Sequence, residues 1–226
     1  MIFTLPAPSL APRIVSPAAG PAEQSVPKPA CLRAAELDPL NPLVYVELGR
    51  ARLAFADRIA AAANQAKAEE RPQIQKAYTD TLDTAKQAFE KAIEIKSDFA
   101  AAHFLLTQTE LRLGNLGEAI RNAENAKRFA PDDIGVAFQL GLLHYQQNNF
   151  DRARPEFERA VAISENYSNA RYFLGLIYDR QGQKDAALAQ FEKIAGLNPD
   201  NAEVKGILEN LRAGKPALEQ IVPPAP

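Results

Sequence analysis

Leu106, Leu140 and Leu174 stand 34 residues apart, and the register they set carries through the residues around them. Gly141 and Gly175 follow two of these leucines, and Thr107 follows the third. Ala119, Ala153 and Ala187 keep the same spacing, as do Ala123, Phe157 and Phe191, and then Ala126, Ala160 and Ile194. Pro131 and Pro199 close two of the units, with Glu165 in the corresponding slot of the other. A fixed period of roughly 20 to 50 residues is the mark of a stacked array. In such an array each unit has an apolar face it cannot cover alone, and stacking neighbours covers it.

The spacing inside a unit is helical. Phe173, Leu174, Ile177 and Tyr178 form one stripe, Gly182 stops that helix, and Asp185 is placed to start the next. Leu188, Phe191 and Ile194 (or Ala195) then share a face, and Asn198-Pro199-Asp200 ends the helix. The small residues at the eighth and twentieth positions, Gly and Ala, are expected to face each other where the two helices approach closely. Abundant Ala, 46% hydrophobic residues and no Trp suit tight helix packing. Pro155, four residues after the expected cap Asp151, is expected at the edge of the tolerated first turn.

The order Leu-Gly, Ala, Phe, Ala, Pro at this spacing resembles the tetratricopeptide repeat, over residues 31–213. The resemblance implies an all-α fold: a right-handed α-solenoid of helical hairpins with an inserted long helical hairpin and a C-terminal capping helix. Full units are read at 100–133, 134–167 and 168–201. An earlier unit, 42–99, has Leu48-Gly49, Phe89 and Ala92 in the matching slots. Its step from Arg52 to Ala85 is 33 residues where the pattern wants nine, so an insertion of 24 is read at about 53–84. Residues 51–70 have strong helix propensity, Arg71-Pro72 reads as a turn, and Ile74, Tyr78, Leu82, Ala85 and Phe89 resume a helical stripe. Residues 31–41 read as the second helix of a truncated repeat. Residues 202–214 read as a capping helix with Val204, Ile207, Leu208 and Leu211 inward. Nine of 17 prolines fall in residues 1–42 and four in 216–226, so 1–30 and 215–226 read as Pro-rich tails.

A net charge of −2 argues against general nucleic-acid binding, which needs a basic face. The one cysteine, Cys31, excludes an internal disulfide and has no neighbouring base to make it a nucleophile. No apolar run is long enough to span a bilayer. Met1 to Leu10 lacks a basic n-region and is broken by Pro6 and Pro8, against a signal peptide. A soluble, cytoplasmic protein is slightly favoured, with an envelope association left open. His103 and His144 lie in different registers and form no metal pair, so no catalytic residue, metal or cofactor is expected. Gly114, Asn115 and Gly117 read as an interhelix turn, not a phosphate loop.

In the family resembled, the first helix of each hairpin lines the concave groove through its second, fifth, ninth, twelfth and thirteenth positions. Carried over, these give Phe104, Gln108, Leu111 and Arg112; Phe138, Leu142, Tyr145 and Gln146; and Tyr172, Leu176, Asp179 and Arg180. Val46 takes position five of the earlier unit. The three aromatics at position five either meet a ligand or pack on a neighbouring helix. The Lys, Asn and Arg clamp with which some members hold chaperone tails is missing, because position five is aromatic and position nine has no Asn. The charged residues Arg58, Lys67, Glu69, Glu70, Arg71 and Lys76 of the insertion read as a solvated face or a partner contact. The function implied is a scaffold, not an enzyme, binding a peptide or helix of a protein partner. The alternative is a structural or self-associating module, or the soluble end of a larger bacterial envelope protein of the glycan-assembly kind.

Overall fold

The computed structural model describes residues 30–64 and 66–221, with side chains from Arg33 onward. The tails at 1–29 and 222–226, and the side chain of Cys31, lie outside the described residues. The fold is all-α, made of tandem helical hairpins, with no strand among the described residues. The helices are α1 (Ala30–Leu37), α2 (Pro42–Ala63), α3 (Arg71–Ile95), α4 (Ala100–Leu113), α5 (Leu116–Phe129), α6 (Ile134–Gln146), α7 (Phe150–Ile163), α8 (Ser168–Arg180), α9 (Lys184–Leu197) and α10 (Ala202–Arg212). The chain forms two compact units, with the division inside α5 after Asn122.

The first unit is dominated by the long hairpin α2–α3. Asn41 caps α2 by accepting the N–H of Leu43, and Pro42 takes the first turn, where its missing N–H costs nothing. At 22 and 25 residues the two helices run about 33 and 37 Å, against about 20 Å for the other paired helices. The turn falls at 64–70, and Pro72 lies inside the first turn of α3, where the sequence pattern had put the break. Leu53, Ala56, Leu82, Ala85 and Phe89 form the seam, and Phe89 is fully buried. A Cβ on Gly49 would sit 2.4 Å from the Phe89 ring, so the glycine makes room for that ring. Among the described residues of 57–80 none is buried. At the base of the hairpin the Lys86 ammonium donates to Glu110, 2.8 Å away and 2% exposed. The Asn115 amide satisfies the other Glu110 oxygen at 2.7 Å.

The second unit contains the hairpins α6–α7 and α8–α9 and the capping helix α10. The same lock recurs twice. A Cβ on Gly141 would meet the Phe157 ring at 2.7 Å, and one on Gly175 the Phe191 ring at 2.4 Å. The atoms nearest each glycine belong to the phenylalanine ring, which the sequence reading did not place there. Val204, Ile207, Leu208 and Leu211 of α10 join Ala187, Phe191 and Ile194 of α9 in one cluster. Asn201 caps α10 through the N–H of Val204.

Two helix starts differ from the sequence reading. Asn149, not Asp151, caps α7, so Pro155 falls beyond the first turn and removes a donor from the helix interior. Gln183, not Asp185, precedes α9, leaving Asp185 in the first turn, where its charge suits the helix dipole. Gly114, Asn148 and Gly182 take left-handed conformations with φ of 82°, 58° and 75°, one per hairpin turn at the 34-residue spacing. Gly117, expected in that turn, is helical and lies in α5.

Candidate functional site

The twelve positions carried over from the repeat pattern fall on α4, α6 and α8, and each is half-buried or exposed. In the first unit, Phe104, Gln108 and Leu111 are half-buried and Arg112 is exposed, its guanidinium 2.6 Å from Asp57 of α2. Val46 departs from them: it is buried with Ala92 and Ala102 and presents no surface.

In the second unit the row is Phe138, Leu142, Tyr145 and Gln146 on α6 and Tyr172, Leu176, Asp179 and Arg180 on α8. Its aromatics are joined through Phe173, whose ring lies 5.9 Å from Phe138, 5.0 Å from Tyr145 and 5.7 Å from Tyr172. Phe138 also meets Tyr167 edge-on at 5.3 Å. Such offset and edge contacts add about 0.5–1.5 kcal/mol per pair beyond area burial. Position five therefore serves packing here, whatever else it touches. Tyr172 donates its hydroxyl to Glu203 of α10 at 2.7 Å. Burial first, and that bond second, push its pKa well above the usual phenol value. Burial also raises the Tyr145 hydroxyl, with Arg180 pulling the other way. The Arg180 guanidinium lies over the Phe150 ring at 4.6 Å.

Tyr145, Leu176, Asp179 and Arg180 line an open depression together with Lys184, Pro216 and Leu218. The last three were not singled out by the sequence. Pro216 and Leu218 lie outside the 34-residue period, and nothing in the repeat pattern marks their contact with α8.

No cluster of three His, Cys, Asp or Glu residues that could hold a metal ion is found among the described residues. His103 is buried, with Nε2 3.0 Å from the Ser97 carbonyl and Nδ1 3.4 Å from Asn122. His144 is 3% exposed, its Nδ1 has no hydrogen-bond partner, and its Nε2 lies 3.9 Å from Glu124. Burial holds its pKa below the usual imidazole value. The charged residues of the long hairpin, Arg58, Lys67, Glu69, Glu70, Arg71 and Lys76, are all exposed.

Residues 138–202 match the tetratricopeptide repeat family. The chain contains tetratricopeptide repeats. It is 31% identical over 81 residues to a tetratricopeptide repeat-containing protein of Methanocaldococcus jannaschii, a stretch that spans 36% of this chain and a quarter (25%) of that protein. Its fold is similar to that of YrrB, a tetratricopeptide protein with an unusual peptide-binding site, with a TM-score of 0.62 at 22% identity over 86% of this chain and 88% of YrrB. It is also similar to MamA, with a TM-score of 0.56 at 22% identity over 62% of this chain and 82% of MamA. A thermophilic tetratricopeptide protein of Thermus thermophilus gives 0.52 at 18% identity, over 81% of this chain and 87% of that one. At these identities the likeness is one of fold alone. No helix among the described residues is long and apolar enough to cross a membrane.

Proposed function

We propose that this tetratricopeptide protein is a non-catalytic scaffold whose first-helix faces bind a peptide or helix of a protein partner. The observation that carries this reading is the row on α6 and α8. Leu142, Tyr145 and Leu176 are half-buried, the first two packed against the cluster built around Phe157 and Leu174 and the third against the α9–α10 cluster, with Gln146 and Arg180 exposed on the same helices. A rigid apolar strip with a polar margin suits an extended or helical segment with aliphatic anchors. Phe104, Gln108, Leu111 and Arg112 are the same reading's positions on α4.

Truncating Phe138 or Tyr172 would test packing as much as binding, because both are held in ring contacts. Leu142→Gln combined with Leu176→Gln changes the strip itself without removing a ring. We expect affinity capture from the source cell to lose a specific partner with this double variant while its melting temperature stays near that of the unaltered chain. A partner retained in full would remove the face from the binding role and point to the 53–84 hairpin instead.

A further inference from the structure

After α10 the chain turns back. Ala217 is 1% exposed and belongs to the α9–α10 cluster, and Ile221 packs against the same cluster. The sequence reads 215–226 as a tail, and residues 215–221 of it lie against the protein.

Their hydrogen bonds with α8 and α9 are made through the backbone. Asp179 Oδ2 accepts the N–H of Ala217 at 2.8 Å. Lys184 Nζ donates to the Lys215 carbonyl at 2.6 Å and is held by Asp179 Oδ1 at 2.7 Å. One carboxylate and one ammonium thus grip a C=O and an N–H two residues apart, groups that every extended peptide carries. Side-chain demands are added at two places. The Ala217 site is closed and admits only a small residue. Leu218 lines the depression with Tyr145, Leu176 and Arg180, yet remains 48% exposed.

We propose that Tyr145, Leu176, Asp179, Arg180 and Lys184 form a binding site for an extended peptide with a small residue followed by an aliphatic one, and that residues 215–218 occupy it as the chain's own ligand. The proposal rests on the reading of α6 and α8 as a binding face, and names both the subsite and its occupant. Little apolar area of the segment is buried in the depression. Attachment adds to these contacts: a short tether gives an effective concentration on the order of millimolar. Asn210 adds bonds from outside the site, donating to the carbonyls of Ala217 at 3.2 Å and Glu219 at 2.7 Å. A partner segment must therefore outcompete a tethered copy of its own motif.

The test uses the 226-residue chain and a fluorescent peptide of residues 214–221, Gly-Lys-Pro-Ala-Leu-Glu-Gln-Ile. Ala217→Arg expels the resident segment, and the variant binds the peptide at least about tenfold tighter than the unaltered chain does. Adding Asp179→Ala to it weakens that binding about tenfold, the loss expected for a charge-assisted hydrogen bond. Asn210→Ala, which loosens the segment without entering the site, shifts affinity in the same direction by less and serves if Ala217→Arg does not fold. Equal peptide affinity for the unaltered and loosened chains, or equal binding of a scrambled peptide, overturns the proposal. Partner capture with Leu142→Gln alone, a residue outside the self-ligand site, decides the wider face separately. A partner lost there without peptide binding here keeps the face and removes the self-ligand.

Discussion

The long hairpin α2–α3 and the short hairpins α6–α7 and α8–α9 share one lock and differ in almost everything beyond it. In each, a glycine on the first helix receives a fully buried phenylalanine from the second. Gly49 and Phe89 are 40 residues apart, while Gly141–Phe157 and Gly175–Phe191 are separated by 16. For a flexible loop that difference in closure costs only about 0.8 kcal/mol. In the short hairpins buried residues extend almost to the turn, as far as His144 on α6 and from Ala153 on α7. In the long one they stop at Ala56 and resume at Thr81. Chain inserted beyond the lock leaves the repeat's packing intact, and its outer part, 57–80, has no buried residue among those described. The two kinds of hairpin also treat buried charge differently. Lys86 of the long hairpin and Asn115 pair the buried Glu110 carboxylate of α4, whereas α6 buries an imidazole that lacks a partner on Nδ1.

The largest effect that would break this comparison is loss of the ring. Phe89→Ala and Phe157→Ala should each cost about 3–5 kcal/mol in chemical denaturation, while Ile74→Ala on the outer part of the long hairpin costs about 1 kcal/mol or less. Similar losses at Ile74 and Phe89 would mean that the outer part is cored after all. Next come the glycines. Gly49→Ala and Gly175→Ala gain helix propensity but drive a methyl into a ring, and overpacking wins by about 1–3 kcal/mol. A neutral result at Gly49 alone would show that the long hairpin flexes where the short ones do not.

The smallest effect concerns His144. Because burial lowers its pKa, the unfolded chain takes up the imidazole proton first as pH falls. Stability is therefore lost on acidification, starting near the free imidazole value of about 6.5. The charges of Glu124 and Glu156 oppose this shift, while those of Arg152 and Lys127 reinforce it. His144→Gln should flatten the stability profile between about pH 7 and pH 5. Identical slopes for the two proteins would exclude His144 as their source.

Periodicity made the hairpins legible because burial on a helix repeats every three or four residues and the unit repeats every 34. The same signal located the long hairpin, since Gly49 and Phe89 keep their roles however far apart they stand. It did not show which atoms meet. Gly and Ala are both small, and only the packed structure shows that the glycine accommodates the ring. Helix starts were misplaced at α7 and α9 for a related reason: Asn149 and Asp151, or Gln183 and Asp185, differ by two residues, and local propensity does not resolve that. Within the candidate face, Asp179 was legible as a surface position. Its engagement by Ala217 was not, because that contact spans 38 residues and belongs to no repeat.

Gly114, Asn148 and Gly182 put the same left-handed bend at the same phase of three consecutive hairpins. In genetic terms these bends are matching splice points. Recombination from one to the next would add or remove a whole repeat, with the reading of inside and outside resuming in step on the far side. The chain's heritable unit of length is then the hairpin, and the array can be lengthened or shortened without inventing a new turn.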